Sequence, residues 1–331
     1  DILRVTNIGN VLRKGGSILQ SSSGSAETYL LSKPGQHIDV FISHNWAVPR
    51  WKKFWALALY VNVVHAVVAS YICAAAGCLL NVLSVPPLLE NVDASIRPHC
   101  VILGSCGFWT VLMFGHDLPF AGRLCCQHEV FLDKICIHQT DSALKAAGIS
   151  NLGAFLRYSK KMLVLFNTVY CKRLWTVYEM ACYMYLHPTD MLELLPVDIA
   201  SVVLKSTLLI ALMHWLSLVI IHFATSLSAI GRLAPALVSN MIGGVLIGAL
   251  VWILRGWALK RSSLFSDLRC FQISKADCAD ESDRVVVSNN ICAFVRSMGL
   301  VGGGATDTEA LLAFDKLVQE RMPELLRSAI G

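Results

Sequence analysis

Four long apolar blocks dominate the pattern of hydrophobic and polar positions along this chain. They cover residues 55–85, 100–116, 206–230 and 233–254, and no Asp, Glu, Lys or Arg interrupts any of them. A helix needs about 20 apolar residues to cross the hydrocarbon core, so three blocks are long enough and the block at 100–116 is short. The pattern predicts two transmembrane hairpins. The alternative, core helices of a soluble protein, is less favoured because such helices usually keep a polar face.

The composition agrees with a membrane protein. Hydrophobic residues make up 55% of the 331 residues and charged residues 15%, with a mean hydropathy of +0.57; soluble domains average roughly 45–50% and about 25%. The net charge of +5 lies mainly beside the apolar blocks, which favours membrane topology over nucleic-acid binding. The 12 cysteines lack the regular spacing of a disulfide scaffold. Because the chain opens with Asp1 rather than Met, we expect a fragment of a longer protein.

The distribution of cations predicts the orientation in the membrane. Arg50, Lys52 and Lys53 precede the first block and Arg123 follows the second, whereas the loop at 86–99 carries two acids and a single Arg. Cytosolic loops are enriched in Lys and Arg. The hairpin tips are therefore expected away from the cytosol, with both termini and the middle segment cytosolic. The pattern does not indicate which membrane holds the protein.

The segments between the blocks predict one small α/β domain. Residues 1–36 are rich in Ser and Gly and predict a flexible leader. Strands are predicted within 37–46, 128–141 and 161–167, and helices at 142–160 and 170–187. This alternation predicts a parallel sheet covered by helices, formed by residues 37–54 and 124–188. Residues 255–331 predict a helical tail, in which Thr306 and Glu309 have capping-box spacing.

The order of these segments constrains the first hairpin. The strand near 40 precedes the blocks at 55–85 and 100–116, and the strands near 130 and 162 follow them. If the three strands share one sheet, the chain must cross the membrane an even number of times between them. Two crossings meet this requirement, so the argument supports the short second block independently of its length.

Three segments, in this order, resemble the Toll/interleukin-1 receptor (TIR) domain, in particular the divergent TIR-like domains of protist membrane proteins. They are IDVFISHNW at 38–46, VFLDKICIHQ at 130–139 and YCKRLWTVYEMA at 170–181, and the resemblance covers roughly a third of the chain. Trp175 and Glu179 match the W and E of the plant-type pattern S-x-W-C-L-x-E-L. The sequence departs from the family at Thr176, which stands for the usual Cys, at Met180, which stands for the usual Leu, and in the hairpin inserted before the second strand.

The resemblance implies a small flavodoxin-like fold and two kinds of activity. Family members self-associate as signalling scaffolds, or they hydrolyse NAD at the nicotinamide–ribose bond with the Glu of the Trp-containing helix. Glu179 is therefore the candidate catalytic residue. The candidate cleft lining is formed by the loop after the first strand, the end of the second strand and the helix partner of Glu179, namely Ser43, His44, Asn45, Trp46, Asp133 and Trp175.

Several functions remain open at the level of the sequence. The first hypothesis is signalling by self-association or partner binding, and the second is NAD cleavage through Glu179, with NAD as substrate and no cofactor. A third, a small channel or transporter with a regulatory α/β domain, is weakened by the absence of charged residues in the blocks. A structural role for Glu179 near a helix start is the plain alternative. No metal site is expected, because the Cys and His spacings differ from those of zinc sites.

Overall fold

The computed structural model describes residues 2–82, 99–118, 128–167, 169–187, 192–224, short stretches between 241 and 259, 266–278 and 281–324. Within these residues the chain divides into two compact units. Unit 1 comprises Asp1–Ala56, Gln127–Val197 and Leu259–Gly331, and unit 2 comprises Leu57–Cys126 and Asp198–Ala258. Most of the block predicted at 233–254 and the side chains of 213–224 lie outside the described residues.

A mixed six-stranded sheet organises unit 1. The strands are β1 (Arg4–Asn7), β2 (Lys33–Pro34), β3 (Ile38–His44), β4 (Glu129–Phe131), β5 (Ser159–Phe166) and β6 (Leu192–Pro196). Their spatial order is β2-β1-β4-β3-β5-β6. Strands β4, β3, β5 and β6 are parallel, whereas β1 pairs antiparallel with both β2 and β4. The prediction of an α/β fold is confirmed at this level.

The centre of the sheet is a continuous apolar layer. Strand β3 pairs with β5 from Ile38 opposite Ser159 to His44 opposite Leu165, and both strands are buried over most of their length. Phe41 of β3 stacks on Phe131 of β4 at a ring distance of 4.9 Å. Burial on both faces is the reason why these strands read as nearly unbroken apolar runs.

Helices cover the sheet and fill the connections. Unit 1 contains α1 (Ile8–Gly16), α2 (Ala26–Tyr29), the start of α3 (Arg50–Val82), α5 (Asp133–Cys136), α6 (Ser142–Ser150), α7 (Leu152–Arg157), α8 (Leu174–Leu186), α10 (Glu281–Ser297) and α11 (Asp307–Lys316). Unit 2 contains the rest of α3, α4 (His99–Phe114) and most of α9 (Val197–Ala224). The predicted capping box of the tail is present at α11, where Thr306 and Glu309 bond reciprocally.

The start of the chain is structured, which corrects the expectation of a flexible leader for residues 1–36. Strand β1 joins the sheet beside β4, and Val5, Val11, Leu12 and Leu19 are fully buried. The Ser-rich stretch that suggested flexibility is confined to a few residues before α2. The apolar residues on either side of that stretch decide the outcome, because they bury their side chains against unit 1.

Two further differences concern the strands. The segment 128–141, expected as a strand and a polar loop, forms only the three-residue β4 before the one-turn helix α5. Strand β6 was not predicted, and it extends the sheet beyond β5 with Met162 opposite Leu192. Its sequence, LELLP, is short and leads directly into the apolar α9. It therefore lacks the alternation of apolar and polar residues that would predict a strand.

Within the described residues, a single helix is long and apolar enough to cross a membrane. It runs over Arg50–Leu80, with a mean hydropathy of 2.1 in an apolar window of which only 11% is buried in the protein. The apolar stretches Cys100–Phe114 and Ala200–Leu212 are shorter. In unit 2 the amide of Asn62 on α3 donates to the Leu112 carbonyl of α4 at 3.1 Å, so this polar residue is used for helix–helix bonding.

Candidate functional site

The candidate site lies where two adjacent parallel strands end. Counted along the chain, the four parallel strands are the first (β3), second (β4), third (β5) and fourth (β6), and their spatial order is 2-1-3-4. After β3 the next parallel strand along the chain is β4, on one side of the pair, and after β5 it is β6, on the other side. The carboxyl ends of β3 and β5 therefore form a topological switch point, where ligands of open α/β sheets bind. Ser43 and His44 end β3, and Tyr170 follows the end of β5.

A hydroxyl–carboxyl cluster forms the centre of this site. The Ser43 hydroxyl donates to Oε2 of Glu179 at 2.5 Å and lies 2.5 Å from the Tyr170 hydroxyl. A serine hydroxyl has one proton to donate, so the Tyr170 O–H donates to Ser43 in turn. Ser43 and Tyr170 are buried, whereas Glu179 on α8 keeps part of its surface exposed. The cluster therefore joins β3, the segment after β5 and α8 through the Ser43 hydroxyl.

The environment of Glu179 disfavours its charged form. Burial raises the pKa of the carboxyl to about 8; the hydrogen bond from Ser43 lowers it, and the nearby Asp133 raises it further. Burial likewise raises the pKa of the Tyr170 hydroxyl well above its usual range. A carboxyl group whose pKa lies near physiological pH can gain or lose a proton as a ligand arrives. Such perturbed groups concentrate at functional sites.

A second group of side chains surrounds Trp46 in the loop after β3. The Trp46 indole donates to Oδ2 of Asp133 at 3.0 Å, and the His44 ring meets it edge to face at 4.3 Å. The Lys53 amine lies 4.8 Å above the indole ring. Asp133 is partly exposed, and burial raises the pKa of its carboxyl. The group thus places an aromatic ring between a carboxyl and a buried amine.

Three side chains near Trp46 carry four buried nitrogen atoms that have no hydrogen-bond partner within the described part of the chain. They are both ring nitrogens of His44, the side-chain nitrogen of Asn45 and the amine of Lys53, which is fully buried. Burial, followed by the charge of Lys53, lowers the pKa of His44 to about 3. His44 is therefore neutral at physiological pH and cannot serve there as a proton-donating imidazolium.

The structure brings together six of the seven predicted site residues. Ser43 contacts Glu179, and His44, Trp46 and Asp133 form the group described above. Asn45 shapes the loop between them, since its side-chain oxygen accepts from the Ala47 amide at 2.9 Å. This loop geometry follows from the tendency of Asn to bond backbone amides two residues ahead.

Trp175 is placed differently from the expectation that it would line the cleft beside Glu179. Its indole donates to Oδ2 of Asp283 on the tail helix α10 at 3.3 Å. Trp175 and Glu179 are four residues apart and lie on adjacent parts of the surface of α8. The tail helix α10, however, contacts the part of that surface that carries Trp175. The same tail segment bonds the start of α8, where the Leu174 amide donates to the Asp277 carbonyl at 3.1 Å. Trp175 therefore anchors the tail on α8.

Sequence analysis missed three residues of the site. Tyr170 was assigned to a helix without a role, Lys53 was counted only as a topogenic cation, and Lys134 was not singled out. The buried Lys134 amine donates to the carbonyls of Ile18 at 3.1 Å and Ser21 at 2.8 Å, and so ties the chain start to the site. The one signal in the sequence was the position of Lys134 directly after Asp133, at the end of a strand.

The comparisons add no relative to this picture. No protein-family model, curated protein or solved structure matches the chain. Among the described residues, no group of three or more His, Cys, Asp or Glu side chains could hold a metal ion. Any assignment of function therefore has to come from the geometry and chemistry of the Ser43–Tyr170–Glu179 cluster and its surroundings.

Proposed function

We propose that this protein is a membrane-attached N-glycoside hydrolase, whose cytosolic α/β unit cleaves the nicotinamide–ribose bond of NAD through Glu179. The observation that carries the proposal is the 2.5 Å hydrogen bond between Ser43, at the end of β3, and the Glu179 carboxyl. A carboxyl directed at the switch point of a parallel sheet faces the region where ligands bind. A structural surface carboxylate would point into solvent instead.

The strand order supports the TIR-like part of the proposal. The order 2-1-3-4 of the parallel strands is that of flavodoxin-like sheets. The three segments that resemble TIR domains supply β3, β4 with α5, and α8, and their site residues meet in one unit. Strands β1 and β2 extend this sheet on one side and have no counterpart in that order.

The proposed chemistry uses the proton equilibrium of Glu179. The bond between C1′ of the ribose and the pyridinium nitrogen breaks, and its electron pair leaves with nicotinamide. The ribose then carries an oxocarbenium-like charge, which a carboxylate stabilises. Water adds to C1′ and releases a proton, which gives ADP-ribose. The positive charge of the bound pyridinium favours the ionised form of a carboxyl whose pKa is about 8 in its absence.

Ser43 and Tyr170 act as positioning residues in this proposal. The Ser43 hydroxyl holds one oxygen of Glu179, and Tyr170 fixes the direction of the Ser43 hydroxyl. The Tyr170 backbone is itself held by the Thr176 side chain, which donates to the Tyr170 carbonyl. One oxygen of Glu179 is thus restrained by the protein. A carboxyl group fixed in advance stabilises a developing charge without reorganisation.

Self-association in signalling is the second candidate, and the edge of the sheet favours it. Strand β6 ends the described sheet, with β5 on one side and no strand on the other, and four of its five residues are half-buried. An unpaired strand edge is a template for pairing with another chain. Self-association requires no turnover, so the release of nicotinamide separates the two candidates.

Membrane attachment is the third part of the proposal and rests on α3. The helix presents Val64, Val68, Tyr71 and Ile72 with more than half of each side chain exposed. Exposed apolar residues along a helix of this length, which carries no Asp, Glu, Lys or Arg from Phe54 to Val82, are stable in hydrocarbon and unfavourable in water. We place the α/β unit and both termini on the cytosolic side, following the distribution of Lys and Arg.

We expect the purified full-length protein to release nicotinamide from NAD, with kcat/KM rising with pH. If the reactive species is the Glu179 carboxylate, kcat/KM should rise about tenfold per pH unit below the pKa and level off above about pH 8. The measurement is chromatographic detection of nicotinamide between pH 5.5 and 9.5. A complete absence of release, from protein shown by circular dichroism to be folded, would remove the enzymatic proposal and leave self-association.

Membrane attachment predicts that the protein resists extraction from the membrane and that two tags in unit 1 lie on the same side of the membrane. The full-length protein should stay with the membrane fraction in alkaline carbonate, and epitope tags inserted at residues 30 and 150 should be accessible from the same side. Both positions belong to unit 1, which cannot fold with its parts separated by a bilayer. Release into the carbonate supernatant, or tags on opposite sides, would contradict this part of the proposal.

A further inference from the structure

A basic surface with an exposed tryptophan lies at the start of the apolar helix α3. It combines the last residues of α1 with the first residues of α3, and we call it the basic patch: Arg13, Lys14, Arg50, Trp51 and Lys52. The side chains of Arg13, Lys14 and Lys52 are exposed, that of Arg50 is half-exposed, and Trp51 exposes 53% of its surface. Four cations and one aromatic ring are thus presented together.

Direct contacts hold the two halves of the patch together. A Cβ placed on Gly15 would lie 3.1 Å from the Trp51 ring, so the backbone of α1 rests directly against the indole. The Arg50 guanidinium lies 4.3 Å above the same ring and also donates to the Gln20 side chain at 3.3 Å. Glycine suits this position because a Cβ would press on the Trp51 ring and because a φ of 62° is unfavourable for any other residue.

The backbone before Gly15 is strained in a way that shapes the patch. Lys14 has a φ of 53°, the only positive φ of a non-glycine residue within the described chain, and Gly15 and Gly16 follow at 62° and 66°. A lysine in the left-handed region is unfavourable, and such outliers concentrate at functional positions. Here three consecutive left-handed residues turn the chain sharply beside Trp51, which keeps the end of α1 against α3.

Neither half of the patch has acidic residues near it in sequence. No Asp or Glu occurs between Ile2 and Ala26, or between Val40 and Leu89, so both halves of the patch lie in long acid-free segments. Cations clustered next to an apolar helix attract the anionic lipids of a cytosolic leaflet. Tryptophan prefers the level of the lipid headgroups. At the level of the lipid headgroups, the Arg50 guanidinium would therefore lie near anionic lipid and the Trp51 ring would lie at its preferred depth in the membrane.

We propose that the basic patch binds the headgroups of anionic phospholipids, such as phosphatidylserine, in the leaflet from which α3 emerges. The inference rests on the membrane attachment proposed above and not on NAD cleavage. Its occupant is a bilayer surface rather than a soluble phosphate, because the exposed cations and Trp51 stand at the start of a helix that exposes apolar side chains farther along, from Val64 onward. Anionic lipid would thus hold unit 1 at the membrane surface through α1 as well as α3.

The test uses the full-length protein reconstituted in phosphatidylcholine bilayers that contain trace spin-labelled lipid. Electron paramagnetic resonance gives the association constant of labelled phosphatidylserine relative to labelled phosphatidylcholine. We expect a preference for phosphatidylserine that falls at least about threefold in the double variant Lys14→Gln/Lys52→Gln. The preference of the wild type should also shrink in 0.5 M salt, since exposed charges are screened. The salt series needs no variant and therefore does not depend on folding of the double variant.

The double variant Lys145→Gln/Lys316→Gln is the matched control, since it removes two exposed cations of unit 1 outside the patch. It should keep the wild-type preference. Equal association of both labelled lipids with the wild type, or an unchanged preference in the Lys14→Gln/Lys52→Gln variant, would overturn the proposal. Loss of the preference on adding inorganic phosphate at constant ionic strength would also overturn it, because it would indicate a soluble-anion site. Failure of membrane attachment itself is seen separately, in the carbonate extraction.

Discussion

Replacing Glu179 by Gln is expected to lower the release of nicotinamide from NAD by at least about a hundredfold, the size of effect seen when one electrostatic contact to a transition state is removed. Glutamine keeps the shape of the side chain and can still accept the hydrogen bond from Ser43, but it cannot carry the negative charge that stabilises the ribosyl cation. The loss should appear in kcat more than in KM, because the charge on the ribose develops only in the transition state.

The same substitution should raise stability at alkaline pH. The pKa of Glu179 is raised to about 8 from an ordinary value of 4.5. Between these two values the folded state holds a proton that the unfolded state releases, so this group makes the protein less stable as pH rises from about 4.5 to 8. Glu179→Gln removes this penalty. The variant should therefore melt higher than the wild type at pH 9 and show a smaller difference at pH 5.

Glu193→Gln is the control for both measurements. Glu193 lies on β6 and pairs with Lys161 at 2.7 Å, whereas the hydrogen-bonded cluster consists of Ser43, Tyr170 and Glu179. Its release of nicotinamide should match that of the wild type. If Glu179→Gln retains wild-type release while remaining folded, Glu179 has no catalytic role. If it also shows no pH-dependent gain in melting temperature, its carboxyl is not held in a charge-disfavouring site.

Replacing the buried Lys53 by Met is expected to stabilise the folded protein by about 1–3 kcal/mol, since burying a charge without a hydrogen-bonded partner is costly. The Lys53 side chain is fully buried and its amine has no hydrogen-bond partner within the described residues. Among the described residues, its favourable interactions are with the Trp46 ring at 4.8 Å and with the charge of Asp133. Methionine fills a similar volume and can also pack against an aromatic ring. The measurement is the thermal unfolding midpoint of the full-length protein in detergent.

Lys52→Met provides the comparison, because Lys52 is the exposed neighbour on the same turn of α3. It should leave the unfolding midpoint nearly unchanged, since exposed substitutions usually change stability by less than about 0.5 kcal/mol. A loss of stability in Lys53→Met, relative to Lys52→Met, would show that the buried amine makes a stabilising interaction. The charge of Lys53 would then contribute to the fold rather than weaken it.

The central strands and the Glu179 helix were predictable because their signals are local. Strand β3 and strand β5 are runs of β-branched and apolar residues, and they fell within one or two residues of the predicted ranges. Helix α8 begins four residues later than predicted and ends near the predicted position. Ser43 and Glu179 were both candidate site residues on the resemblance to TIR domains, and a hydrogen bond joins them in the structure.

The parts that sequence analysis missed depend on partners far away in the chain. Strand β1 has four residues and acquires its partner β4 more than 120 positions later, and β6 is recognisable only beside β5. Tyr170 gains its role from Ser43, 127 residues earlier. The Trp175 side chain turns to Asp283 because the tail, which follows the last apolar block, packs on α8. The hydrophobic periodicity of a short stretch of sequence does not indicate which distant segments will contact each other.

The sequence by itself determined the apolar blocks, the α/β character of the polar segments and the residue types available for chemistry, because each depends on composition and on spacing over a few turns. Only the tertiary structure decided the order of the strands, the burial of Lys53 and His44 without hydrogen-bond partners among the described residues, and the elevated pKa of Glu179. These properties depend on desolvation and on contacts between distant segments. Desolvation is a property of the whole packed unit, and a residue in the unfolded chain does not yet experience it.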